Sequence, residues 1–182
     1  IAQYKAFADA IAKAKETAAK EWSDYETTVA SLATLNALIA EADVIYEEAK
    51  AEKFELAAWG DSLIEAAAVV ELDSMYILLD VYTEKIDEMT VGDEIGEYFE
   101  TQKDEAETLW EEVSVVLSEV EDGELSAVEA KNLCAGYYAQ IDRILANPID
   151  YSEFPITIAR STTNKIGSYY LMDGAVYNKG SY

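Results

Sequence analysis

The residues best equipped for chemistry in this chain are its carboxylates. Glu47-Glu48, Glu111-Glu112 and the run Glu119-Val-Glu-Asp122 each bring acids close together in sequence. Two carboxyl groups about 5–10 Å apart across a sugar cleft can hydrolyse a glycosidic bond, one giving a proton and the other acting as base or nucleophile. Helical spacing, however, puts these acids on the polar sides of predicted helices, where a solvated face is the expected role. With 37 acids in 182 residues, pairs at that separation arise without a cleft. Asp93, Glu94 and Glu97, set between Gly92 and Tyr98, are the best set for Ca²⁺. Their spacing does not follow the D-x-[DN]-x-[DN]-G loop that converges ligands on that ion. No catalytic residue, metal ligand or cofactor is therefore assigned.

The composition removes other chemistries. The chain has no histidine and a formal net charge of −24. It can build no Ser-His-Asp or Cys-His nucleophile pair and no histidine-ligated metal centre. An excess of 37 acidic over 13 basic side chains repels phosphate backbones and anionic lipid, so no nucleic-acid partner is expected. No membrane insertion is expected either, because no apolar run reaches the ~18 residues of a spanning helix. The single Cys134 falls in an apolar helical run and reads as a small buried hydrophobe.

The aromatic residues remain. Tyr151, Phe154, Tyr169, Tyr170, Tyr177 and Tyr182 gather near the end of the chain. Exposed aromatic rings stack on sugars, and the phenol adds a hydrogen bond. Tyr169, Tyr170 and Tyr177 are the candidate ligand-binding residues. Adjacent strand residues point to opposite faces, so one of Tyr169 and Tyr170 is expected to be buried while the other serves as a platform. The competing role for these rings is to cover a hairpin and pack it on the rest of the protein.

The elements that must position these groups are mainly helices. Tyr4, Phe7, Ile11, Ala14 and Ala18 form one stripe over 2–21, and Leu35, Leu38, Ile39, Ala42 and Ile45 another over about 24–51. Leu56, Trp59, Leu63 and Val70 mark a third helix. Asp73 or Ser74 is expected to cap a fourth, carrying Leu78, Tyr82, Ile86 and Met89. Gly92 and Gly96 interrupt the pattern. Thr101 is expected to cap a fifth helix with Ala106, Leu109, Val113 and Leu117, which stops at Asp122-Gly123. Ser126 starts a sixth, through Cys134, Tyr137 and Ile141, which Asn147-Pro148 ends. The expected core comprises Trp59, Leu63, Leu109, Val113, Tyr137 and Ile141.

Residues 148–182 differ, holding both prolines and a concentration of Tyr, Thr, Ser and Ile. Ile156–Arg160 alternates like a strand, and Asp173-Gly174 between two apolar runs signals a type I′ hairpin. The expected fold is all-α: a bundle of five or six helices over 1–147, followed by a short β-rich C-terminal tail over 148–182.

Two segments are similar to each other. One runs from Phe54 through Trp59, Leu63, Ala66 and Val69-Val70 to the helix ending at Met89. The other runs from Gly92-Asp-Glu-Ile-Gly-Glu-Tyr98 through Ala106, Leu109 and Val113 to the helix ending at Leu145. They resemble the FIVAR-type helical modules of bacterial secreted and cell-surface proteins, in which an aromatic and a spaced L-x-x-A-x-x-A-x-x-V precede an acidic turn and a closing amphipathic helix. The resemblance spans about 35–146 and implies two modules, about 1–73 and 74–147. The last helix of the first would also serve as the first helix of the second. Ile166-Gly-Ser-Tyr-Tyr-Leu-Met172 resembles the opening of β-rich carbohydrate-binding modules. These likenesses imply an extracellular or surface-bound, non-enzymatic spacer or adhesin, with glycan or a surface protein as partner. A carboxylate-based glycoside hydrolase, or an accessory piece of one, is the enzymatic alternative. A helical scaffold that binds protein through an apolar groove is the third.

Overall fold

A computed structural model describes residues 2–48 and 52–150, together with the backbone of 168–172 and 175–179. Five helices occur among the described residues: α1 Ala2–Ala18, α2 Glu26–Glu48, α3 Lys53–Asp87, α4 Glu100–Glu121 and α5 Ala127–Leu145. The strands β1 Ser168–Met172 and β2 Ala175–Lys179 pair antiparallel, with Tyr170 opposite Tyr177 and Tyr169 opposite Asn178. The strand expected at 156–160 and the Asp173-Gly174 turn lie outside the described residues.

The third and fourth predicted helices are one. Asp73 and Ser74 do not cap a new helix but lie in the middle of α3, 35 residues long. The Ser74 hydroxyl donates back to the Glu71 carbonyl at 2.6 Å, a bond compatible with helix continuing through it. Packing decides the matter. Leu56, Leu63 and Val70 belong to a core with Phe7, Ile11, Leu35 and Ile39. Ala68, Leu72, Tyr82 and Ile86 belong to a second core with Val113, Leu117, Cys134 and Ile141. Around residues 66–72 the helix is apolar on two sides, so a break there would sacrifice both cores.

Each core is a three-helix bundle, and α3 is common to the two. The direction of each helix follows from its contacts. A methyl placed on Gly60 would lie 3.9 Å from Ala10 Cβ, and Lys20 reaches Glu71 at 3.1 Å, so α1 runs parallel to α3. Lys15 pairs with Asp43 at 2.8 Å and Tyr4 meets Tyr46 at 6.3 Å between ring centroids, so α2 runs back. Tyr76 donates to the Leu117 carbonyl at 3.0 Å and Lys103 to that of Met89 at 3.4 Å, so α4 is antiparallel to α3. Tyr138 donates to the Met75 carbonyl at 2.7 Å and Asp142 approaches Lys85 at 4.0 Å, so α5 is parallel again.

Local sequence closes the helices. Glu55 accepts the Glu52 N–H at 2.9 Å at the start of α3. At α4 the capping residue is Phe99, not Thr101: Gln102 Oε1 accepts the Phe99 N–H at 2.9 Å. Gly123, at φ 74°, ends α4 in a left-handed turn that lets the Glu124 N–H reach the Glu119 carbonyl at 2.8 Å. Ser126 caps α5, its Oγ accepting the Glu129 N–H at 3.2 Å. Beyond α5 the chain is pinned: Ile149 accepts the Gly96 N–H at 2.9 Å and donates to the Glu97 carbonyl at 2.7 Å.

Of the expected core, Leu63, Val113 and Ile141 are fully buried. Trp59, Leu109 and Tyr137 are only partly buried, and Tyr138 takes the inner position instead of its neighbour. Tyr138 stacks on Tyr82 with centroids 4.5 Å apart.

Candidate functional site

The acid pairs of the sequence do not converge. Glu47, Glu48, Glu111 and Glu112 are exposed on the outer faces of α2 and α4, and Glu121 and Asp122 lie exposed at the end of α4. In the 92–98 loop the Glu97 carboxylate turns onto its own backbone, accepting the Glu94 N–H at 2.9 Å. That carboxylate occupies the space a Cβ at Gly92 would take, so a side chain there would push the end of Glu97 aside. Among the described residues no three Asp, Glu or Cys side chains converge as a metal-binding group. Tyr169, Tyr170 and Tyr177 sit on β1 and β2, and their side chains lie outside the described residues.

What the helices do bring together lies at the seam between the two bundles. Glu65 of α3 accepts the Ala127 N–H at 2.6 Å and the Val128 N–H at 3.4 Å, placing a carboxylate on the first turn of α5. Two turns further on, Glu71 takes Lys20 on one oxygen at 3.1 Å and Lys131 of α5 on the other. Burial opposes the charge on Glu71, but the hydrogen bonds from Lys131 and Lys20 and their positive charge outweigh it and hold the carboxyl below its ordinary range. Glu71 thus joins the first bundle to the second. Asp73 Oδ2, nearby on α3, is buried without a hydrogen-bond partner.

Beside this seam an open groove of about 610 Å³ runs between α2 and α3. Ser31 and Thr34 form the α2 wall, Asp61, Ser62 and Glu65 the α3 wall, and Ala66 and Val69 the floor. The sequence carried two signs of it that periodicity alone did not flag. Residues 27–40 hold no charge in a strongly acidic chain. Phe54, Asp61 and Glu65, at helical spacings of 7 and 4, share one face of α3. The lack of charge also makes α2 the one helix, among the described residues, long and apolar enough to cross a membrane, with a mean hydropathy of 1.4 in its most apolar window. This differs from the expectation that no run would qualify. In the structure α2 packs between α1 and α3 through Leu35, Ile39 and Ala42.

Comparison with known proteins finds no matching family model, no similar curated protein and no similar solved structure.

Proposed function

We propose that this chain is a non-enzymatic helical spacer of a bacterial secreted or cell-surface protein, with contact to glycan or a surface protein carried by its tail. The observation that supports the reading is where the chain enters and leaves the bundle. Tyr4 lies level with the end of α2 and the start of α3, while Leu145 and Ile149 lie level with the end of α3. A 35-residue helix is about 52 Å long at 1.5 Å per residue, so the two points stand at opposite ends of a strut built on α3. Compact domains commonly bring such points close together. Two cores on one unbroken helix resist bending better than two bundles on a linker. The outward-facing acids keep such a strut soluble and self-repelling. The resemblance of 35–146 to FIVAR-type modules, and of 166–172 to carbohydrate-binding modules, supports the setting and the glycan partner.

Spin labels at Gln3 and Ala146 test the reading by pulsed electron-electron resonance. A narrow distribution near ~50 Å is expected. A broad distribution, or release of reducing ends from a polysaccharide panel by the purified chain, would overturn it. On a glycan array, binding by the full chain that survives truncation after Asp150 would remove the tail from the proposal.

A further inference from the structure

We propose that the groove between α2 and α3 is a docking site for a basic amphipathic helix of another protein. The inference goes beyond the spacer role, which needs no side groove, and stands whether or not that role is correct.

The walls of the groove differ in chemistry. The α2 wall comes from the uncharged stretch 27–40 and offers hydroxyls, Ser31 and Thr34, and small residues. The α3 wall carries the exposed Asp61 and, beside it, Glu65, whose two oxygens already cap the first turn of α5, and no Lys or Arg lines the groove. A large apolar side chain flanks it on α3: Phe54 is 69% exposed on the face that carries Asp61 and Glu65. An aromatic anchor beside carboxylates, over a floor of Ala66 and Val69, matches a helix with an apolar stripe flanked by cations.

Charge selects the occupant. A second copy of this chain also carries −24 and would bring acids onto Asp61 and Glu65. Nucleic acid is repelled for the same reason. A cationic helix gains at every approach, because the acidic chain steers it and the groove fixes its register. The lined stretch from Asp61 to Val69 is about 12 Å, and Phe54 on the same face extends it to about 22 Å, roughly four turns of helix.

The test uses the full chain and a fluorescein-labelled 15-residue helical peptide with leucines on one face and lysines flanking it, followed by anisotropy in ~150 mM salt, where loose surface attraction is screened. Saturable one-to-one binding is expected. A66W fills the floor without changing charge and should weaken binding about tenfold or more. S62K puts a cation in the groove from an exposed position and should do the same, so the test survives if A66W fails to fold. D61N should weaken binding severalfold, whereas E105Q/E112Q on α4 removes more charge and should leave it unchanged. A peptide with glutamate for lysine should not bind. Absence of saturable binding overturns the proposal. So does an affinity untouched by S62K, or a loss in E105Q/E112Q as large as in D61N, which would mark general attraction to a polyanion.

Discussion

The Glu65 carboxylate on α3 accepts the backbone N–H of Ala127 at 2.6 Å, so one helix supplies a cap for the first turn of another. The bond joins positions 62 residues apart and fixes where α5 begins along α3. Ser126 caps the same turn locally. Glu65→Ala should therefore lower stability by about 1–2 kcal/mol, in the range of a lost cap, with α5 fraying first. Denaturant titration measures the loss, and amide exchange at 127–129 locates it. Unchanged protection there would show that Ser126 suffices.

Glu71 carries an acid-dependent tie. Its carboxyl is held below its ordinary value of 4.5, and the unfolded chain regains that value. The stabilisation is complete above about pH 4.5 and drains away as pH falls below it through the folded value. Glu71→Gln should destabilise by about 1 kcal/mol at neutral pH, modest because Lys20 is half exposed. It should also flatten the acid limb of a stability-against-pH curve. A wild-type and variant pair with parallel acid limbs would assign that limb to other carboxylates.

Alkali should act on the second bundle. Burial, then the Glu121 charge, pushes the Tyr76 phenol up to about 12. Burial and Asp142 do the same for Tyr82, also to about 12, and burial raises Tyr138 as well. These groups favour the fold fully below pH 10 and withdraw that contribution as pH climbs through 12. Phenolate absorbance should rise in two steps, the second of which accompanies unfolding. Cys134, buried and pushed up to about 11, should react with a thiol reagent only on that second step.

Asp73 should be replaceable at a gain. Its Oδ2 is buried without a partner, and aspartate is a poor residue for the inside of a helix. Asp73→Ala should raise stability by about 1 kcal/mol in thermal or denaturant unfolding. A loss instead would show that Asp73 has a task its unpaired oxygen conceals.

Leu63→Ala empties a fully buried site in the first core and should cost about 2–5 kcal/mol. Because α3 serves both cores, exchange at Val113 and Ile141 should accelerate too. If only the first core responds, the two bundles unfold independently.

The helix faces were legible where one side of a helix is apolar, as in α1, α4 and α5, because period alone phases them. The phase at Tyr137 and Tyr138 was not, since adjacent tyrosines differ by one step and only the stack on Tyr82 selects between them. The continuity of α3 was hidden for a physical reason. A helix that feeds two cores turns apolar on two sides, so Asp73-Ser74 looks like punctuation when judged by local preference. The groove was hidden because it depends on two antiparallel helices meeting, and its acids look like any others until Ser31 and Thr34 stand opposite them.

The opposite ends at which the chain enters and leaves have a mechanical meaning. Tension on the two ends pulls α1 and α5 along their own axes, each sliding lengthwise against α3. That is shear, not peeling. Phe7, Ile11 and Ala14 on one side, and Ala130, Cys134 and Ile141 on the other, must let go together instead of one turn at a time. The seam through Glu71 and its two lysines lies on that line of force, so a load arriving at one bundle is handed to the other along a single helix.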